Sequence, residues 1–277
     1  MGMRVNTNVQ SIAAQRTLEK NNISQQKSIE KLAAGTRIVR AADDAAGLAI
    51  SERMRANIGS IRQNARNAQD GISMIQVAEG SFNEINNVLV RFRELAVQSA
   101  SDTIGDKERS YIDKEVQQLK QEVDRIANGT EFNGKNLLNG SGEVLQIQVG
   151  PMNDPELDRF YLDTSKTNST TDALGLADFN TLSREASQES LAAIDNAIDM
   201  VVENRSDLGA QQNRLESTIR NLKIYDENLS AARSRIYDVD IASETAELTR
   251  SNILTSAGVS VLSQANQNSM RALQLLG

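Results

Sequence analysis

Two clusters of acidic residues hold the side chains most able to do chemistry: Asp43-Asp44, and Asp238 with Asp240 and Glu244. Converging carboxylates can hold a divalent cation or divide the work of acid and base. Neighbouring side chains on a helix do not face each other, so Asp43-Asp44 reads as a turn or helix cap. Asp238, Asp240 and Glu244 read as acids at a helix start, where they suit the dipole. Gly140-Ser141-Gly142 lacks the downstream Gly-Lys-Ser/Thr of a phosphate loop and reads as a turn. The chain has no Cys and no His, which removes disulfides, thiol nucleophiles, imidazole bases and nearly all zinc chemistry. No catalytic, cofactor-binding or metal-ligating residue is therefore expected, and the chain does not read as an enzyme.

The elements carrying these residues are long and helical. Of 277 residues 39% are apolar but only 3% aromatic, with no Trp, so the core must come from Leu, Ile, Val and Ala. The aromatic residues run only from Phe82 to Tyr237. Both prolines, Pro151 and Pro155, lie in the middle beside several glycines, so two helical arms flank a broken centre. In the first arm Ile50, Met54, Ile58, Ile61, Ala65, Ala68, Ile72, Ile75, Ala78, Phe82, Ile85, Leu89, Phe92 and Ala96 step by three and four. That spacing makes a seam for a partner helix. A shorter helix through Ile112, Val116, Leu119, Val123 and Ile126 stops at Asn128-Gly129. The second arm repeats the pattern from Leu191 to Ile236 through Ile219, Leu222 and Tyr225, with Arg205 and Gln212 interrupting it.

Between the arms, Leu145, Ile147 and Val149 alternate with polar residues, as do Phe160 and Leu162, giving two strands joined by a loop at 150–158. Residues 163–181, rich in Ser, Thr, Asn and Asp, read as an exposed loop. The ends carry thinner stripes: Val5, Val9 and Ile12, then Ile253, Ala257 and Val261, finishing in Leu273 and Leu276. Neither stripe is large enough to order its segment alone, so both are expected to fold when subunits pack. These residues, with Ile219 and Leu222, form the expected polymerisation seam.

The expected fold class is mainly α: a long antiparallel helical hairpin, or coiled-coil rod, with a small β-hairpin in the middle. Its segments are 1–44, 45–140, 141–182, 183–236 and 237–277. Residues 1–40 carry seven Lys/Arg against two acids, while the whole chain is at −7. Such a balance does not suit a nucleic-acid partner, and no constellation suggests a pocket for a small-molecule substrate. The N-terminus has no apolar run long enough for a cleaved signal peptide.

The stretch 32–51, LAAGTRIVRAADDAAGLAIS, resembles the bacterial flagellin N-terminal signature, with Ala33-Ala34 in place of its usual serines and Val39 in place of Asn. Residues 90–99 (VRFRELAVQS), 130–140 (TEFNGKNLLNG), 227–244 (ENLSAARSRIYDVDIASE) and 260–267 (SVLSQANQ) resemble that family's segments in order and spacing. The short centre resembles family members without large outer variable domains.

The resemblance implies a structural subunit that polymerises into the flagellar filament for swimming. The terminal segments would form an inner coiled-coil domain and the middle helices an outer one. It implies export through the flagellar type III channel to the cell exterior. The partners it implies are copies of the chain and other flagellins, an export chaperone on the C-terminal segment, and the filament cap and hook-junction proteins. Arg91, Leu95 and Glu115 fall on a face that an animal Toll-like receptor reads in many members, a face that exists for subunit packing. A hook–filament junction protein is the nearest alternative, and a helical-bundle binding protein the next.

Overall fold

Caps and glycines decide where these helices start and stop. In the computed structural model, which describes residues 7–141 and 144–274, α1 is Val9–Ala34, α2 Ala45–Ser99 and α3 Asp106–Gly129. Short strands β1 (Glu131–Phe132) and β2 (Lys135–Asn136) follow, then β3 (Val144–Gln148), β4 (Arg159–Asp163), α4 (Arg184–Tyr237) and α5 (Ile241–Gln274). The Asn8 side chain accepts from the Ser11 amide at the start of α1, and Gly35, at φ +69°, closes it in the left-handed conformation. Asp44 Oδ1 accepts the Gly47 amide at 2.8 Å and caps α2. Asp240 Oδ1 accepts the Ala242 and Ser243 amides and caps α5. No helix among the described residues is long and apolar enough to cross a membrane.

Gly47 is fitted to its cap. A Cβ there would lie 2.4 Å from Asp44 Oδ2 and 2.9 Å from Ile38 Cδ1, whereas Gly59 and Gly80 have open space. Gly47→Ala is therefore expected to destabilise by about 1 kcal/mol, the usual loss of an N-cap. Gly59→Ala and Gly80→Ala are expected to stabilise by about 0.5–1 kcal/mol. Urea midpoints check the signs, and a stabilised Gly47→Ala chain would remove the cap argument.

The chain divides into two compact units, residues 1–56 with 228–277, and residues 57–227. In the second, α2 and α4 run antiparallel, tied by Arg62–Asp226 and Arg93–Asp195 ion pairs at 3.0 and 2.8 Å. The expected α2 seam is buried from Ile58 onward, through Ile61, Ile72, Phe82, Leu89 and Phe92. It is wider than a two-helix seam, because α3 and the hairpin also contribute to the same core and Met74 and Leu95 are buried as well. From α4, Ile194, Ala197, Val201, Leu208 and Leu215 complete that core. Strands β3 and β4 pair antiparallel with Leu145 opposite Leu162 and Ile147 opposite Phe160. Leu145, Phe160 and Leu162 are buried, while Val144 and Tyr161 are exposed, as the period-two alternation requires.

Two expectations are corrected here. Residues 163–181 are not an exposed loop: Leu174, Leu176 and Phe179 enter the core, and Thr164, Thr167, Ser169, Thr171 and Thr181 are buried. Most of these groups find partners close by, the Thr181 hydroxyl excepted. Thr167 Oγ1 donates to the Leu137 carbonyl, the Ser169 amide donates to the Leu138 carbonyl, and Thr171 gives both its amide and its hydroxyl to Asp124. Satisfied in this way, polar residues can be buried at little cost, while Ser165 stays exposed and Thr170 half-buried. Second, Ile50 and Tyr225 are exposed, so the seam is not continuous to either of them.

The two units divide inside α2 and inside α4. The connection after α1 is bound to the α4–α5 junction: the Arg37 amide donates to the Tyr237 carbonyl at 2.7 Å, its guanidinium donates to the Ile236 carbonyl, and the Val239 amide donates to the Gly35 carbonyl. Those bonds keep the first turns of α2 and the last turns of α4 in the unit of α1 and α5.

Candidate assembly interface

The first unit is built around α1 against α5, and the chemistry of that contact is the reverse of a usual coiled coil. The helices run antiparallel, with Asn8 Nδ2 donating to the Ala265 carbonyl at 3.0 Å and Ser11 Oγ donating to Asn266 Oδ1 at 2.9 Å. Further along, Gln25 Nε2 donates to Asn252 Oδ1, and Lys31 pairs with Glu244 at 3.5 Å. The buried residues of this contact are small: Ser11, Ser28, Ser251 and Ala265, with Ser28 only 2% exposed. Beside Gly258 the Leu18 side chain comes close, as a Cβ there would meet its Cδ1 at 3.4 Å.

Leu18, Leu32, Leu248 and Leu262 are half-buried, but the β-branched residues face the other way. Val9 and Ile12 on α1 and Ile253 and Val261 on α5 are 48–63% exposed, and Ile23, Ile29, Leu254 and Val259 are exposed as well. A shallow trough of about 620 Å³ runs between the two helices, lined by Ala13, Ala14, Thr17, Ala257, Gly258 and Val261 among others. Isoleucine and valine left in water beside a trough of small residues constitute a surface suited to a helix from another molecule. The two terminal stripes, too thin to order themselves singly, are helical here because each has the other as a polar partner.

Val9, Ile12, Ile253, Ala257 and Val261 thus come together on one unit. Val5 and Leu276 lie outside the described residues, as does the Leu273 side chain. Ile219 and Leu222 belong elsewhere: Ile219 packs on the core of the second unit and Leu222 is buried, so both serve folding within one chain. Spacing could not have singled out Ser11, Ser28 and Ser251 as the inner face, since a stripe of isoleucines reads as the buried one.

Within the acidic clusters Asp44 and Asp240 serve as caps, while Glu244 pairs with Lys31. Asp43 Oδ2 accepts the Val39 and Arg40 amides at 3.2 and 2.9 Å. Chiefly the Arg40 amide, helped by the Val39 amide and the charges of Lys27 and Lys31, holds the Asp43 carboxyl below its ordinary value. With a folded value below the unfolded one, Asp43 stabilises the fold above the ordinary carboxylate range and loses that effect as pH falls through the lowered value. Because the Val39 contact is made by its backbone, valine serves there without an amide side chain.

On the second unit, Arg91 and Glu115 are exposed together: Nε and Nη2 of Arg91 donate to Glu115 Oε1 at 2.9 and 2.8 Å, and Nη1 donates to Glu94. The hydrogen bond to Glu115 is the main reason the guanidinium pKa is raised. Leu95, expected on this same face, is 1% exposed and part of the core, so nothing outside the chain can read it. Position 95 follows Arg91 by one helical turn, but its side chain faces the buried side of a helix covered on more than one flank.

The features so far define a mainly helical protein with a small β-hairpin, whose first unit leaves apolar residues of α1 and α5 exposed. Residues 5–143 match the family model described as the bacterial flagellin N-terminal helical region, and residues 191–276 match the C-terminal helical region. The chain belongs to the bacterial flagellin family. A flagellin of Halalkalibacterium halodurans is 46% identical over 274 residues, covering 99% of this chain and 100% of that one. A flagellin of Bacillus subtilis is 40% identical over 303 residues with the same coverage. Among solved structures, Bacillus cereus flagellin is 31% identical with a TM-score of 0.50, covering 57% of this chain and 88% of that chain. A putative flagellar hook-associated protein from Vibrio parahaemolyticus, at 14% identity and a TM-score of 0.58, covers 71% of this chain and 100% of that one, a likeness of fold alone.

Proposed function

We propose that this chain is a structural subunit of the flagellar filament, polymerising with copies of itself for swimming motility. The observation that carries the reading is the inverted burial of α1 and α5, with Ser28 hidden and Ile253 in water. Covering those ridges with another copy releases about 25 cal/mol for each Å² of apolar area removed from water. A contact between unlike faces whose rotation does not close into a ring propagates as an open helical polymer. The test is electron microscopy of the purified protein after seeding with sheared filaments or salting out. Continuous filaments are expected, and a protein that remains monomeric in every such condition would overturn the reading.

The same reading places the chain outside the cell after export through the flagellar type III channel. An export chaperone would cover the exposed apolar side of α5 before assembly, and the cap and hook-junction proteins would contact the polymer at its ends. The exposed Arg91–Glu115 pair supports recognition of the free monomer by an animal Toll-like receptor, through a charged contact that does not include Leu95. Arg91→Asp sets a carboxylate beside Glu94 and Glu115 and is expected to reduce receptor signalling by purified monomer about tenfold or more, as lost charge-assisted hydrogen bonds do. A reporter-cell dose series measures it, and equal potency of the two proteins would discard the contact.

A further inference from the structure

Three Asn-Gly pairs occur in the described chain, Asn128-Gly129, Asn133-Gly134 and Asn139-Gly140, and the fold treats them differently. Asn-Gly is the dipeptide in which an asparagine carboxamide is most open to its own backbone, because no side chain on the following residue shields the amide nitrogen. We propose that Asn133-Gly134 is a site of spontaneous covalent modification in the folded protein, converting through a cyclic imide to aspartate and isoaspartate, while the other two pairs are protected.

Asn133 and Gly134 are the two central residues of the β1–β2 turn, between the paired Phe132 and Lys135. Asn133 has φ +51°, among the described residues the only non-glycine with positive φ, and Gly134 follows at +76°. In such a turn the hydrogen bond uses the amide after the second central residue, so the Gly134 amide is left to solvent. Both residues are exposed, and nothing lies within 4 Å of a Cβ built on Gly134. Each flanking strand is two residues long, and neither has a buried residue, so opening the turn disturbs little.

The other pairs are held. Gly129 ends α3, with its amide bonded within the helix, and the Asn128 carboxamide donates to the Asp124 carbonyl at 2.8 Å. The Asn139 carboxamide oxygen accepts from both the amide and the hydroxyl of Ser141, at 3.0 and 2.6 Å. Turning either carboxamide toward its following nitrogen breaks those bonds first.

The reaction needs only water. The Gly134 nitrogen attacks Asn133 Cγ, its C–N bond to the side-chain nitrogen breaks, and ammonia leaves with the proton from the Gly134 amide. Water then opens the imide at one carbonyl to give aspartate, or at the other to give isoaspartate, whose backbone runs through Cβ and Cγ. Either product adds a carboxylate two residues from Glu131. Isoaspartate also lengthens the turn by one backbone carbon, which shifts Phe132 against Lys135 a short way before the buried Leu137 and Leu138.

The experiment is incubation of the whole chain in mildly alkaline buffer at physiological temperature, folded and in urea, with tryptic fragments followed by mass spectrometry. Asn128 and Asn133 fall in one fragment, between Arg125 and Lys135, and so report on each other. In the folded chain Asn133 is expected to convert about tenfold or more faster than Asn128 or Asn139, the factor expected from breaking hydrogen bonds of ordinary strength. In urea the three rates should draw together. Labelling by an isoaspartyl methyltransferase should rise with time in the native chain and be largely absent from Asn133→Gln. Conversion of Asn128 or Asn139 as fast as Asn133 in the folded chain, no conversion at Asn133, or undiminished labelling of Asn133→Gln would overturn the proposal.

Discussion

The Ile253→Asp, Val261→Asp double variant is expected to fold normally and to form no filaments. In the single chain both side chains are about 60% exposed, so their loss removes little that holds the monomer together. Exposed substitutions of this kind fall within about 0.5 kcal/mol of the parent. Between copies the position reverses. A buried valine or isoleucine contributes about 1.5–3 kcal/mol, and a carboxylate moved out of water without a partner costs several more. Two such changes exceed what one subunit contact can absorb. Ile253→Leu, with the same apolar character, should polymerise. Helicity and the urea midpoint establish that the double variant is folded, and sedimentation and electron microscopy read its assembly. Filaments of ordinary length from it would show that this ridge is not the interface.

Phe92→Ala is the change expected to damage the monomer most. Phe92 and Phe82, the aromatic residues of α2, are fully buried. Phe92 also meets Phe179 edge-on, with ring centroids 5.3 Å apart at 73°. Truncating a buried phenylalanine costs about 3–5 kcal/mol. The edge contact contributes about 0.5–1.5 kcal/mol of that, recoverable as coupling in a cycle with Phe179→Ala. Because Phe179 lies in the segment before α4, that coupling also tests whether residues 163–181 are packed in solution. Urea unfolding measures both, and a loss under about 1 kcal/mol would contradict the packing described.

The heptad steps from Ile58 to Ala96 and from Ile194 to Leu222 made the helices of the second unit legible, since a narrow apolar period requires covering. Leu145, Ile147, Phe160 and Leu162 did the same for the hairpin. What remained hidden depends on partners far away in sequence. Thr167 and Thr171 look like surface residues until the Leu137 carbonyl and Asp124 reach them, and Leu95 looks accessible until α3 and the loop before α4 are in place. Val9, Ile12, Ile253 and Val261, expected in the polymerisation seam, are exposed on one unit. That serines would be buried between α1 and α5 was not legible, because a short run of Ile and Val carries no mark telling whether it meets its own chain or another copy. Ile219 and Leu222 were placed in the polymerisation seam for the same reason.

Serine on the inside and isoleucine on the outside should give the polymer a thermal character of its own. Attraction between aliphatic surfaces is driven near room temperature by the entropy of released water, so it weakens on cooling. The hydroxyl and carboxamide bonds linking α1 to α5 do not draw on that source. Chilling should therefore loosen subunit from subunit before it separates the two helices within any one of them.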